Sequence, residues 1–257
     1  MEQSEVTFEQ DRQKVIEVNH LTKNFNGITA VDNISFNVKE GDVFAFLGPN
    51  GAGKSTSIKI LTTVLRPTLG NIMVNSYDVV KDEHKVRQSI GVVFQEHSLD
   101  TELTAYENLY YHCVLYRVPR KERKERIEEM LNNIGLWNRK DHLVKTFSGG
   151  MKRRIEIIRG LLHYPRILIL DEPTSGLDAQ TRFFLWNHIE KVNSDYKVTI
   201  FLTSHNLEEI EKVSRHTAII DRGKILANGT NRELKEMTGT DSLERAFLEI
   251  TGYSIRN

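Results

Sequence analysis

Four stretches of this chain are apolar at nearly every position: Val43-Phe-Ala-Phe-Leu47, Ile90-Gly-Val-Val-Phe94, Ile167-Leu-Ile-Leu170 and Val198-Thr-Ile-Phe-Leu-Thr203. Short continuous runs of this kind predict strands covered on both faces, as in a parallel sheet. Val15-Ile-Glu-Val18 and Ile34-Ser-Phe-Asn-Val38 instead alternate, which predicts half-buried antiparallel strands joined through a turn at Lys23-Asn-Phe-Asn-Gly27. A short strand, Asn71-Ile-Met-Val74, follows the turn at Pro67-Thr-Leu-Gly70. Thr217-Ala-Ile-Ile220 and Lys224-Ile-Leu-Ala227 read as a hairpin about Asp221-Arg-Gly223. From about Leu99 to Tyr164 no strand pattern occurs, and helical spacing takes over. Tyr106, Leu109, Tyr110, Cys113 and Val114 form one apolar face, with Cys113 behaving as a small hydrophobe. Ile127, Met130, Leu131 and Ile134 form a second face behind the solvated run Arg120 to Arg126, and Met151, Ile155, Ile158 and Leu162 a third. A helix over Ala179 to Asn193 and a last one from Asp241 complete the pattern, Asp241 and Glu244 having capping-box spacing.

Polar chemistry gathers where the apolar runs stop. Directly after the first come Gly48, Pro49, Asn50, Gly51, Ala52, Gly53, Lys54, Ser55 and Thr56, a full match to Gly-x-x-x-x-Gly-Lys-Ser/Thr. Helical spacing at Ile58, Leu61, Thr62 and Leu65 follows, so the motif lies between a buried strand and a helix start, as phosphate binding requires. Gly48, Gly51 and Gly53 are expected to allow positive φ and close approach to a polyphosphate, with backbone N–H groups pointing at the anion. Lys54 would reach the β- and γ-phosphates, and the Ser55 hydroxyl would hold Mg²⁺.

The second run is followed by Gln95, the third by Asp171-Glu172-Pro173, and the fourth by Ser204-His205. Ligands of open α/β sheets bind outside the carboxyl ends of the strands. One carboxylate there can hold Mg²⁺ while the other orients or deprotonates a water. Ser148-Gly149-Gly150 opens a helix, and two glycines at a helix start weaken it unless a phosphate must approach bare N–H groups. Phe25, on the predicted turn, is either a plug over the core or a platform for the base of a nucleotide.

Composition narrows the classes. The 257 residues carry 35 basic and 35 acidic side chains, so there is no electrostatic case for nucleic-acid affinity. No apolar run approaches the roughly 18–20 residues that cross a bilayer, and the first residues lack the basic start and apolar core of a signal peptide. A single cysteine excludes an internal disulfide framework and fits a reducing, cytosolic setting. Asn138-Arg-Lys-Asp141 nearly matches the guanine-specifying Asn-Lys-x-Asp, but it follows helical residues rather than a buried strand and is a decoy.

In order and spacing these residues resemble the nucleotide-binding subunits of ATP-binding cassette transporters along nearly the whole chain. The phosphate loop matches their Walker A motif, Ile167 to Asp171 their Walker B, Ser175-Gly-Leu-Asp178 their D-loop, and Phe147-Ser-Gly-Gly-Met151 their signature. Met151 stands where the family has glutamine, which affects only that side chain's polar contacts. The resemblance implies a P-loop NTPase of α/β class: a mostly parallel core sheet, an antiparallel β subdomain and a helical insertion. It implies one cassette, with residues 15–95 and 165–230 as core, 96–164 as helical subdomain and 231–257 as tail. ATP and Mg²⁺ are the implied ligands, with Phe25, the loop 48–56 and Ser148, Gly149 and Gly150 on the nucleotide. Ser55, Gln95 and Asp171 are the implied metal ligands, and Glu172, His205 and Gln95 the catalytic set.

Implied partners are a membrane permease and a second copy in an ATP sandwich, with no nucleic acid, at the inner face of the cell membrane. Aromatics such as Tyr106 and Tyr110 are expected beside the groove that receives the permease. Leu61-Thr-Thr-Val-Leu-Arg-Pro-Thr68, Ser148-Gly-Gly-Met-Lys-Arg-Arg154 and Leu243-Glu-Arg-Ala-Phe247 are similar to the drug and nodulation-factor exporter branch. A soluble cassette of DNA repair or translation is the alternative. Those carry two cassettes or a long coiled coil, and neither occurs here.

Overall fold

A computed structural model describes residues 12–252 of the chain. β1 (Lys14–Phe25) and β2 (Ile28–Lys39) are long antiparallel partners. The turn between them narrows to Asn26-Gly27, both at positive φ (42° and 87°), the backbone that a two-residue hairpin with right-twisted strands demands. β4 (Leu69–Val74) and β5 (Tyr77–Asp78) extend this into a four-stranded sheet ordered β2-β1-β4-β5.

The second sheet is ordered β10-β9-β3-β8-β7-β6, from β3 (Val43–Leu47), β6 (Ile90–Val93), β7 (Ile167–Asp171), β8 (Thr199–Thr203), β9 (His216–Asp221) and β10 (Lys224–Thr230). All five strands from β9 to β6 run parallel; only β10 is antiparallel. The four continuous apolar runs are thus parallel neighbours, as their pattern predicts. β9 is the difference: besides pairing with β10 as a hairpin, it lies parallel to β3 through Phe44↔His216 to Leu47↔Ile219. Its Thr217-Ala-Ile-Ile220 is buried, the property of a covered parallel strand.

Alternation along β3 divides the core. Phe44 and Phe46 face the antiparallel sheet and stack with Phe36 and Phe201 at centroid distances of 5.3–6.0 Å. Val43, Ala45 and Leu47 face the other way, with Leu168, Leu170, Ile200 and Leu202, onto the helical side. After β3 comes α1 (Lys54–Leu61), and before β6 α2 (Glu83–Ser89), which leaves no periodic trace in the sequence because only Val86 on it is buried.

The helical stretch holds α3 (Ala105–Leu115), α4 (Arg120–Asn133) and α5 (Gly149–Leu161), with no strand between β6 and β7. α3 buries Leu109 and Cys113 but leaves Val114 44% exposed, so Val114 is not on the core face. Burial raises the Cys113 thiol pKa to about 11, which leaves it an inert hydrophobe. α6 (Ala179–Tyr196) follows β7 and α7 (Leu207–Val213) follows β8. α8 (Asn231–Thr238), not foreseen, starts from a capping box of Thr230 and Glu233. α9 (Leu243–Thr251) is capped by Ser242, whose side chain accepts from the Arg245 N–H; Asp241 instead pairs with the Arg245 guanidinium at 3.0 Å. The cap therefore lies one residue after the Asp241 expected from the sequence, where Ser242 serves equally well as an N-cap.

Candidate functional site

The loop 48–53 links β3 to α1 directly. Gly51 (φ 80°) and Gly53 (φ 110°) adopt the left-handed backbone expected of them. Gly48 does not; its requirement is space, since a Cβ there would lie 2.2 Å from the Ile220 carbonyl oxygen. Lys54 is 6% exposed and donates to the Gly48 and Pro49 carbonyls at 2.6 and 3.0 Å, arching over the loop. Burial pulls its pKa down, opposed by the nearby charges of Glu172 and Asp171.

Glu172 is the hub of the site. Its Oε2 accepts from the Gln95 side-chain amide at 3.1 Å and its Oε1 lies 2.9 Å from His205 Nδ1. Residues 77 and 33 positions away are joined because β6, β7 and β8 are parallel neighbours whose ends align, Leu170 opposite both Val93 and Leu202. The Glu172 backbone sits at φ 49°, costly for a residue with a Cβ, and its N–H is tied to the Thr203 hydroxyl at 3.0 Å. The same hydroxyl donates to Asp171 Oδ1 at 2.7 Å. One threonine thus holds the Asp171 carboxylate and the Glu172 backbone together, two residues only 5% and 7% exposed.

A cleft of about 440 Å³ is lined by Asn50 to Thr56, Gln95, Glu172 and His205. It brings a cation and a row of loop amides, the donors a polyphosphate needs, together with an acid. Among the described residues no group of three or more His, Cys, Asp or Glu is placed to hold a metal alone. That suits Mg²⁺, which is usually held by one or two protein oxygens and completed by phosphate and water. Ser55 and Gln95 line the cleft, whereas Asp171 is buried and is not part of its lining.

A family model described as ABC transporter matches residues 31–175, more than half of the chain. The chain belongs to the ABC transporter family. It binds ATP and hydrolyses it. The linearmycin resistance ATP-binding protein LnrL of Bacillus subtilis is 40% identical over 229 residues, 89% of this chain and 73% of that protein. The daunorubicin/doxorubicin resistance ATP-binding protein DrrA of Streptomyces peucetius is 40% identical over 230 residues, 90% and 69% of the two chains. A solved ATP-binding subunit of an ABC transporter superposes with a TM-score of 0.85 at 28% identity, over 92% of this chain and 99% of that one. A cassette dimer solved in a post-hydrolysis state with ADP and Pi superposes with a TM-score of 0.77 at 26% identity, over 84% and 98%. Neither relative is named for DNA repair or translation.

Not every expected nucleotide contact of this cassette lies in the cleft. Ser148, Gly149 and Gly150 are outside its lining, at the start of α5, where Ser148 accepts from the Met151 N–H at 3.3 Å. Their glycines differ. A Cβ on Gly150 would meet Thr181 Cγ2 at 2.7 Å, a packing reason internal to the chain, whereas Gly149 is exposed with nothing within 4 Å. Phe25 is 40% exposed, with the Lys23 ammonium 4.9 Å from its ring centroid, so it does not plug the core. The Asn138 to Asp141 decoy lies on a 3₁₀ turn, with Lys140 and Asp141 paired at 2.7 Å.

Two features escaped the sequence reading. Tyr106 and Tyr110 pack partly buried against the core, as their place on the apolar face predicts, their rings 6.3 Å apart; the exposed apolar side chains of α3 are Val114 (44%) and, not singled out by the sequence pattern, Tyr111 (56%) and Leu115 (75%), of which Tyr111 and Leu115 border a small cavity with Leu103 and Ser98. And α5 buries Arg153 and Glu156 to 3% and 1% exposure. The charges at Arg153, Glu156 and Arg159 fall three apart and so share one face, on a helix that also carries Lys152 and Arg154.

Proposed function

We propose that this chain is the ATP-hydrolysing subunit of an exporter of drugs, antibiotics or other amphipathic compounds, whose permease is a separate chain. The observation that carries it is the hydrogen-bonded set Gln95–Glu172–His205 facing the phosphate loop and Lys54 in one cleft. The two resistance proteins at 40% identity favour this cargo class and the outward direction.

In this reading the N–H groups of residues 48–56 cradle the triphosphate and Lys54 leaves its carbonyl partners for the β- and γ-oxygens. Ser55, Gln95 and Asp171 are the residues that would hold Mg²⁺, which supplies neutralising charge on those oxygens. Glu172 accepts the proton of the attacking water; His205 steadies Oε1 and contacts the γ-phosphate, and Gln95 steadies Oε2. Phe25 stacks on the base, and with no residue committed to the adenine edge, ATP and GTP both serve. Ser148, Gly149 and Gly150 of a second copy close over the phosphates, for which the open side of Gly149 leaves room. Tyr111 and Leu115 replace Tyr106 and Tyr110 as the aromatic and aliphatic contacts offered to the permease. Among the described residues no helix is long and apolar enough to cross a membrane, so membrane attachment in this reading runs through that partner.

Co-purification from membranes tests the assignment. A permease should come with the chain, candidate drugs should stimulate hydrolysis, and Lys54→Ala should abolish it because the transferring phosphoryl group loses its nearest cation. Near-normal turnover of purified Lys54→Ala protein refutes the phosphate-loop role.

A further inference from the structure

α5 lies along β6. At Gly91 and Gly160 the two backbones nearly touch, since a Cβ on Gly91 would stand 2.2 Å from the Gly160 carbonyl oxygen. Two turns nearer the helix start, the Arg153 guanidinium donates to the Phe94 and Gln95 carbonyls, each at 2.6 Å. Glu156 completes the strap. Its Oε2 takes a 3.1 Å bond from Arg153 and a 3.0 Å bond from His97 Nδ1, and its Oε1 accepts the Ser98 N–H at 2.7 Å. One turn on, Arg159 donates to the Ser98 carbonyl at 2.9 Å and to its hydroxyl. A single face of α5, at positions i, i+3 and i+6, therefore takes up the backbone of the segment whose Gln95 side chain holds Glu172.

We propose that Arg153 and Glu156 are positioning residues that fix Phe94–Ser98 to the helix headed by Ser148, so that the place of that helix start sets Gln95's hold on Glu172. Neither side chain lines the nucleotide cleft. The geometry gives them an indirect effect: residues 94–98 carry no regular structure of their own, and the points that fix them are these charged groups. A second copy that pulls on Ser148–Gly150 moves the strap as a body. The amide that orients Glu172 moves with it, and the acid is aligned only when the helix start is seated. The inference rests on the reading that Gln95 and Glu172 serve hydrolysis.

Removing one partner alone would leave a buried uncompensated charge and risk unfolding, whereas exchanging a whole buried pair for apolar residues of similar size is often neutral. The informative variant is therefore Arg153→Met with Glu156→Leu. Its melting temperature should stay near that of the parent and its nucleotide affinity, read with a fluorescent ATP analogue, should not change. Its kcat should fall about 10²-fold, the cost of misplacing a reacting group by about 1 Å. In a Gln95→Ala background the same pair should cause no further loss, because it acts through Gln95. A full additive loss in that background, or a normal kcat in the folded double variant, overturns the strap. If the double variant does not fold, Glu156→Gln, which keeps an acceptor for Ser98, replaces it with the same two readouts and the same refuting results. Gln95→Ala with unaltered kcat would instead overturn the catalytic reading beneath, a result separable from failure of the strap.

Discussion

Replacing Glu172 with glutamine separates catalysis from architecture more cleanly than any other single change here. Both carboxylate oxygens are occupied, by Gln95 at 3.1 Å and His205 at 2.9 Å. An amide can keep both contacts, its oxygen accepting from Gln95 and its NH₂ donating to a neutral His205 Nδ1. Glu172 is 7% exposed, and the amide fills the same volume without a charge to desolvate. The melting temperature of Glu172→Gln should therefore be unchanged or higher. Loss of a positioned base costs typically about 10²–10⁴ in rate. At about 1.4 kcal/mol per decade, that is a barrier higher by about 3–5 kcal/mol. Phosphate release at saturating ATP and Mg²⁺ reads the first quantity. Size-exclusion chromatography in the same buffer should reveal a dimer that the parent only visits. A variant within tenfold of the parent rate refutes the role of Glu172; one that stays monomeric at saturating ATP, alone and with its permease, refutes the sandwich.

Other expectations are narrower. Adding Ser148→Arg to Glu172→Gln should return the dimer to monomer, since Ser148 is exposed and caps α5 at the end a partner's phosphate would meet; a persistent dimer by chromatography refutes that face. Phe25→Ala should weaken nucleotide binding by about 1–3 kcal/mol if the ring stacks on a base, and unchanged affinity by titration removes it from the site. Burial holds His163 at a pKa of about 4 and His112 at about 3, both below the ordinary 6.5. The unfolded chain then binds more protons, so their contribution is complete above pH 6.5 and is lost as pH falls toward 4 and 3. Urea midpoints measured from pH 7 to 4 should drop less in His112→Phe with His163→Phe than in the parent; identical slopes refute the buried neutral histidines.

What could be read from the sequence, and what could not, follows the range of the interactions. Ile167–Leu170 has no polar residue to divide its faces, and it lies covered on both sides; the Gly-Lys-Ser/Thr loop needs only its own glycines and the strand before it. Local information suffices there. β9 was ambiguous because a hairpin strand can also be a parallel one, and the partner that decides it, β3, is some 170 residues distant. Gly48 looked like a turn residue, but its constraint comes from Ile220. α8 buries Leu234 and Asn231 alone, too little apolar surface to leave a periodic trace, though its Thr230/Glu233 box was in plain view. Arg153 and Glu156 resembled any solvated charges until the fold brought Gln95 beneath them, 58 residues back. At the strand ends the types of residue were legible, while the bonds joining Gln95, Glu172 and His205 required the order of the strands.

The left-handed backbone at Glu172 has a consequence for how such a chain drifts. Glycine, and after it asparagine, occupies φ near 49° more comfortably than glutamate does, so the fold by itself is indifferent or hostile to the residue found there. A screen that rewards only heat resistance or solubility has reason to erode this position, and the proteins it returns would be sturdy and inert. In the proposed function, the acid stands at this backbone position for turnover and not for the comfort of the fold. An engineer seeking a sturdier cassette should hold position 172 fixed first and search elsewhere.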